Sequence, residues 1–188
     1  MPSEKREIQL LDENELSLNL IEAQYLLKNT RDQNNAKSVL VLVNGIELAG
    51  KGESVKQLRE WVDPRYLRVK ADPPMMLDQK QTFWQPYASS IPAEGQIMVM
   101  FGNWYSDLLV TALHVSKPLT ETVFDAYIQD MRAFEQDLKN NHVDVVKVWF
   151  DLSWKSLQKR LDNMGPSEVH WHKLHGLDWR NKKQYDNV

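Results

Sequence analysis

The chain has 188 residues, 42% of them apolar and 26% charged, with seven tryptophans and a net charge of −3. That balance suits one folded domain with its own core rather than a disordered chain. The mild acidity argues against generic nucleic-acid binding, which needs a broad basic surface. The lack of cysteine removes disulfides, thiolate nucleophiles and cysteine-based metal sites. No run approaches the roughly 20 apolar residues of a membrane span. The N-terminus, MPSEKREIQLLDENE, is too acidic for a signal or transit peptide, so a cytoplasmic protein is expected.

Asp12 and Glu15 have capping-box spacing, and Leu16, Leu20, Ile21, Tyr25 and Leu27 follow at helical spacing, predicting a helix that ends near Lys28. A polar loop leads to SVLVLVN (38–44), a short apolar strand suited to burial on both faces. Residues 45–52 turn into the helical pattern ESVKQLREWV, ended by Asp63-Pro64. RYLRVKA alternates like a strand, and QTFWQPYASSIP reads as a helix broken or kinked by Pro86. QIMVMFG (96–102) is a second buried strand. Residues 120–141 form the clearest helix, with Val123, Phe124, Tyr127, Ile128, Met131, Phe134 and Leu138 on one face. DVVKVWFDLS is a third apolar strand and WKSLQKRLDN a further short helix. Strands alternating with helices predict an α/β fold with a mostly parallel sheet covered on both sides.

The chemistry concentrates in NGIELAGKGE (44–53). Gly45, four intervening residues, Gly50 and Lys51 nearly spell a phosphate-binding loop of the Walker A type, placed between strand and helix as such a loop requires. Glycines let the backbone wrap a phosphate, the helix N-terminus attracts anions, and Lys51 supplies a point charge. Gly52 stands where a magnesium-holding hydroxyl is usual, which leaves the Glu47 carboxylate as the candidate metal ligand. The alternatives are an ordinary glycine turn with a solvated lysine, and a surface glutamate.

The stretch NGIELAGKGESVKQLREWVDPRYLRV resembles the polyphosphate kinase 2 family, whose loop reads Gly-x-Asp-x-Ala-Gly-Lys-Gly. Gly45, Glu47, Ala49, Gly50, Lys51 and Gly52 match it, with Glu47 in the place of the family Asp. The likeness continues through DPR (63–65), IPAEGQI (91–97), Trp104-Tyr105 and KLHGLDW (173–179). It implies a three-layer α/β/α phosphate-loop kinase fold with a basic helical lid, magnesium, and transfer between polyphosphate and an adenine nucleotide. It also implies one domain over 1–188: an N-terminal helix and loop (1–37), a core (38–153) holding the phosphate loop, and a helix and lid segment (154–188). By position, Lys51 and Glu47 take the catalytic roles. Gly45, Ala49, Gly50, Gly52 and Glu53 line the phosphate and nucleotide, and Arg65 and Lys173 lie near the site.

Family members with a full catalytic set carry Phe-Asp-Arg-Ser-Trp-Tyr-Asn-Arg where this chain has MFGNWYSD. Aligned on Trp104-Tyr105, the Asp becomes Phe101, the first Arg Gly102 and the last Arg Asp107, while a further Arg-Tyr becomes Pro86-Tyr87. The signature is similar to the first of the two fused kinase-like domains of polyphosphate:AMP phosphotransferases, in which the second keeps the full set. The resemblance therefore implies impaired chemistry and a partner: a second kinase-like domain or another copy. An active stand-alone kinase and a non-catalytic dimerisation module are the alternatives, and a fragment and a natural single-domain relative both stay open.

Three other groupings invite a role. Asp151 ends a strand and imitates a magnesium-binding acid, or is a cap. His170, His172 and His175 suggest zinc, against lid or packing roles. Arg160 adds charge to the site or lies on a solvated helix face.

Overall fold

The computed structural model describes residues 12–31, 36–78, 81–113, 119–164 and 181–186. Four strands, β1 (Ser38–Gly45), β2 (Leu67–Lys70), β3 (Ile97–Met100) and β4 (Val143–Phe150), form a wholly parallel sheet in the order β2-β3-β1-β4. The helices are α1 (Glu13–Asn29), α2 (Lys51–Trp61), α3 (Trp104–Ala112), α4 (Glu121–Asn140), α5 (Trp154–Asp162) and the short α6 (Lys182–Tyr185). Among the described residues, no helix is long and apolar enough to cross a membrane.

Alternation along β1 divides the core between the two faces of the sheet. Leu40 and Leu42, with Met98 and Met100 of β3, pack under α3 and α4 against Trp104, Leu108, Met131 and Leu138. Val41 and Val43, with Val99 and Leu67, pack on the opposite face against Val55 and Leu58 of α2 and Leu20 of α1. Three layers result, as the resemblance implies. A parallel strand buried on both faces needs this double cover, and Leu40, Leu42 and Val99 are fully buried. β4 lies at the end of the strand order and differs from the expected apolar strand. Val146 and Trp149 are half exposed there.

Three local differences from the sequence reading have visible causes. α3 was absent from it, yet Asn103 builds a complete capping box with Ser106, accepting from Tyr105 N at 3.1 Å. The proline-containing stretch gives only a 3-10 turn over Gln85–Ser90, with Pro86 in its first turn, where the missing amide hydrogen does no harm. β2 is shortened because Pro64–Tyr66 forms a 3-10 turn capped by Asp63. Phe124, expected on the buried face of α4, is partly exposed.

Candidate functional site

β1 connects through α2 toward β2, and β3 connects through α3 and α4 toward β4, so two neighbouring strands send their chains to opposite sides. Ligands of open parallel sheets bind at such a crevice, beyond the strand C-termini. The glycine-rich loop (45–52) leaves β1 at this place, and residues 101–103 leave β3 beside it.

The loop is bent by three residues with positive φ, Gly45 (119°), Leu48 (63°) and Gly50 (95°). Gly45 is fixed by crowding as well as by its φ, because a Cβ there would lie 2.0 Å from the Phe150 carbonyl oxygen. Ile46 N donates to that same oxygen at 2.9 Å, tying the loop to β4. Gly50 caps α2 without any side-chain hydrogen bond, so the first turn of α2 keeps its amides and its dipole for an anion.

Lys51 and Glu47 are brought together. Lys51 Nζ donates to the Gly45 carbonyl and to Glu47 Oε1, both at 2.9 Å. The Lys51 side chain is 15% exposed and that of Glu47 41%, so the ammonium is folded under the loop with one face open. A lysine held this way in the first turn of α2 places its positive charge at the helix N-terminus, under the loop. Ala49 belongs to the same loop, while Gly52 and Glu53 are exposed in the first turn of α2.

For the magnesium that the resemblance implies, Glu47 is the carboxylate that loop residues 45–52 offer, and its Oε1 accepts from Lys51 Nζ. Among the described residues, no three His, Asp or Glu side chains gather into a ready-made cage. A single carboxylate nonetheless suits an ion that takes most of its ligands from phosphate oxygens and water. Asp151 does not add to this set in the structure. Its Oδ1 accepts from the next amide, Leu152 N, at 2.8 Å, and Ser153 caps α5.

Arg65 is not part of this arrangement. It follows the far end of α2, an eleven-residue helix and so roughly 16 Å long, and it precedes β2 at the N-terminal edge of the sheet. Its guanidinium is bound to Asp63 at 2.6 Å and is largely exposed. That hydrogen bonding pulls the Asp63 carboxyl down to about 2. Its expected place near the site is corrected by the direction of α2, which carries the chain away from the loop. Lys173, His170, His172 and His175 lie outside the described residues.

The strand-end segment of β3 is closed rather than open. Gly102 is buried against the segment that holds Asp72, and a Cβ on it would sit 2.5 Å from the Asp72 carbonyl oxygen. Phe101 turns into the apolar layer between the sheet and α2. Asp107 is only 2% exposed, accepting from Met75 N at 3.0 Å and Tyr87 Oη at 2.7 Å. Burial pushes its carboxyl up to about 6, against the bonds from Met75 and Tyr87 that favour the charged form. Thr111, one turn on, accepts from Leu77 N at 2.9 Å. These positions serve the packing of the 72–77 segment onto α3.

Two cations emerge from the geometry. Lys70, at the end of β2, donates to Ser90 Oγ at 2.8 Å and lies 3.2 Å from Asp72, so its charge is partly answered. Arg160, on α5, donates from Nη1 to the Leu48 carbonyl of the loop itself. The Arg160 contact spans more than a hundred residues of chain, and no local pattern signals it.

A parallel sheet covered on both faces, with a glycine loop between an inner strand and the next helix and a half-buried lysine opening that helix, defines a phosphate-loop protein of kinase type. The family model for polyphosphate kinase 2 matches residues 7–188, and the chain belongs to that family. A polyphosphate:AMP phosphotransferase of Acinetobacter johnsonii is 76% identical over 179 residues, which are 95% of this chain and 38% of that protein. A crystallised Pseudomonas aeruginosa PA01 protein assigned to polyphosphate kinase 2 superposes with a TM-score of 0.72 at 34% identity, over 93% of this chain and 34% of the other. The polyphosphate kinase 2 of Arthrobacter aurescens TC1 shares the fold, with a TM-score of 0.74 at 22% identity, over all of this chain and 71% of the other. The chain thus spans little more than a third of the curated relative most like it among these.

Proposed function

We propose that this chain is a phosphate-binding domain of a polyphosphate-dependent nucleotide phosphotransferase, acting on polyphosphate and AMP or ADP. Its own chemistry is impaired, and it acts beside a catalytic partner domain or a second copy. The observation that carries this reading is the contrast between two adjacent strand ends. Beyond β1, Lys51 and an uncapped helix N-terminus offer an anion site. Beyond β3, the positions where the family's acid and arginines fall are occupied by Phe101, by Gly102 pressed on a carbonyl, and by a buried Asp107.

Phosphoryl transfer depends on positioning and on neutralising charge that develops on the transferring oxygens. Lys51 would hold bridging or terminal phosphate oxygens, and the loop amides of 50–53 would cradle the phosphate. Glu47 would contribute the protein's carboxylate to a magnesium ion that offsets phosphate charge. Without the acid and arginines opposite, binding outlasts turnover. Each missing charge-assisted contact is worth about 1.5–3 kcal/mol.

The test is a purified-protein assay with polyphosphate, magnesium and AMP or ADP, beside calorimetric titration with tripolyphosphate. Binding that Lys51→Ala abolishes, with turnover orders of magnitude below a family member that keeps the Asp and Arg set, is expected. Robust turnover that Lys51→Ala removes would sink the impaired-domain reading in favour of an active kinase. Absence of any tripolyphosphate binding would leave the structural module.

A further inference from the structure

Leu48, near the middle of the phosphate loop, has a left-handed backbone, which a residue with a branched side chain keeps only where its surroundings impose it. The surroundings here belong to α5. Leu48 and Ala49 pack with Ile46 on Leu157 and Leu161, two buried residues of that helix. From the same helix, Arg160 reaches over and donates to the Leu48 carbonyl. The amide on the other side of that peptide, Ala49 N, donates to the Ile46 carbonyl at 3.3 Å. The 48–49 peptide plane is therefore held at both ends, its oxygen by Arg160 and its N–H by the loop. With that plane fixed, the amides that follow, from Gly50 into α2, are left free to face an anion.

We propose that Arg160 is a positioning residue that clamps the phosphate loop into its binding shape before any anion arrives. It acts through the Leu48 carbonyl, and α5 serves as the loop's outer support. The purpose of the clamp rests on reading the loop as a phosphate site, but the clamp is a property of the empty protein. A cation that merely attracted phosphate would leave the unliganded loop unchanged when removed. A clamp would not.

Hydrogen–deuterium exchange on the unliganded chain separates the two. Arg160 is exposed, so Arg160→Ala is expected to keep the fold. Amides of residues 46–52 should exchange about three- to ten-fold faster, with β1 and α4 unchanged. Lys159→Ala, which removes the same charge one residue away, should match the wild type. Unchanged loop exchange in Arg160→Ala, or equal acceleration in Lys159→Ala, would overturn the proposal. If the alanine variant opens throughout, Arg160→Lys takes its place, because an ammonium keeps the charge but loses the planar fork. Faster exchange confined to the loop then supports the clamp, and none refutes it. A tripolyphosphate titration of the wild type runs alongside. Failure to bind there removes the phosphate reading while leaving the exchange result, and the clamp, standing.

Discussion

Adding a single methyl group at Gly102 probes whether this strand end has room for the family's arginine. The added Cβ would lie 2.5 Å from the Asp72 oxygen, 3.1 Å from its carbonyl carbon and 3.3 Å from its Cβ. The nearest two atoms are backbone, so no rotamer change relieves the contact. Neither side yields readily: Asn103 locks one through the cap of α3, and bonds from Met75 and Leu77 to Asp107 and Thr111 hold the other. Overpacking of this kind costs about 1–3 kcal/mol. For a chain of this length, a loss of that size lowers the melting temperature by about 2–12 °C. Gly102→Ala should fall in that range in thermal or urea denaturation with an unchanged m-value, and Gly102→Arg at or beyond its upper end. Gly102→Arg should also gain no turnover, since its side chain cannot reach the crevice without moving the Asp72 segment. A Gly102→Ala protein within about 0.5 kcal/mol of wild type would refute the steric reasoning.

At Gly45 the conflict is harsher. Gly45→Ala puts a Cβ against the Phe150 backbone at a φ that side chains avoid, and equilibrium unfolding should register a loss above about 3 kcal/mol. Wild-type stability there would mean that β1 and β4 separate more easily than their register implies. Asp107 should leave a signature in pH. Its native carboxyl holds a proton up to about 6, whereas the unfolded chain releases it near the usual carboxylate value. Its contribution is therefore complete below about pH 4 and fades as the pH rises through 6. The destabilisation caused by Asp107→Asn should accordingly be about 1–3 kcal/mol larger at pH 4.5 than at pH 8. A gap that stays flat between those two pH values would show that the buried carboxyl titrates normally.

The sequence made the core strands and the glycine-rich turn into α2 legible because each rests on a short-range rule. Apolar runs such as 38–44 mark buried parallel strands, and glycines before a helix mark an anion turn. α4 was readable for the same reason, its long apolar face outweighing local ambiguity. α3 escaped because WYSDLLVTA is apolar on most sides, as befits a helix with Trp104, Leu108 and Val110 all buried, so no amphipathic period stands out. The capping pair Asn103 and Ser106 was the available signal. Arg65 is expected near the site only from its place in the family motif, and no short stretch of sequence shows that α2 runs its full length between it and the loop. The burial of Asp107 and the reach of Arg160 depend on contacts between distant elements, which no single stretch of sequence displays.

The segment 72–77 is bonded to α3 at two points, Met75 to Asp107 and Leu77 to Thr111, and Asp72 lies against Gly102 just ahead of the helix cap. Two bonds one helical turn apart, with a close backbone approach ahead of the helix, tie strap and helix together, because swinging the strap away would break them. A domain that closes on substrate needs a hinge, and this half of the crevice offers none between 72 and 77. The Met75 and Leu77 amides should then exchange as slowly as those of α3 itself, and lose protection together when Asp107 is replaced. If they exchange freely while α3 stays protected, the strap is loose. Fastened by the Met75 and Leu77 amides instead, the β3 side of the crevice is, in mechanical terms, a fixed jaw against which any closing motion of the other half must work.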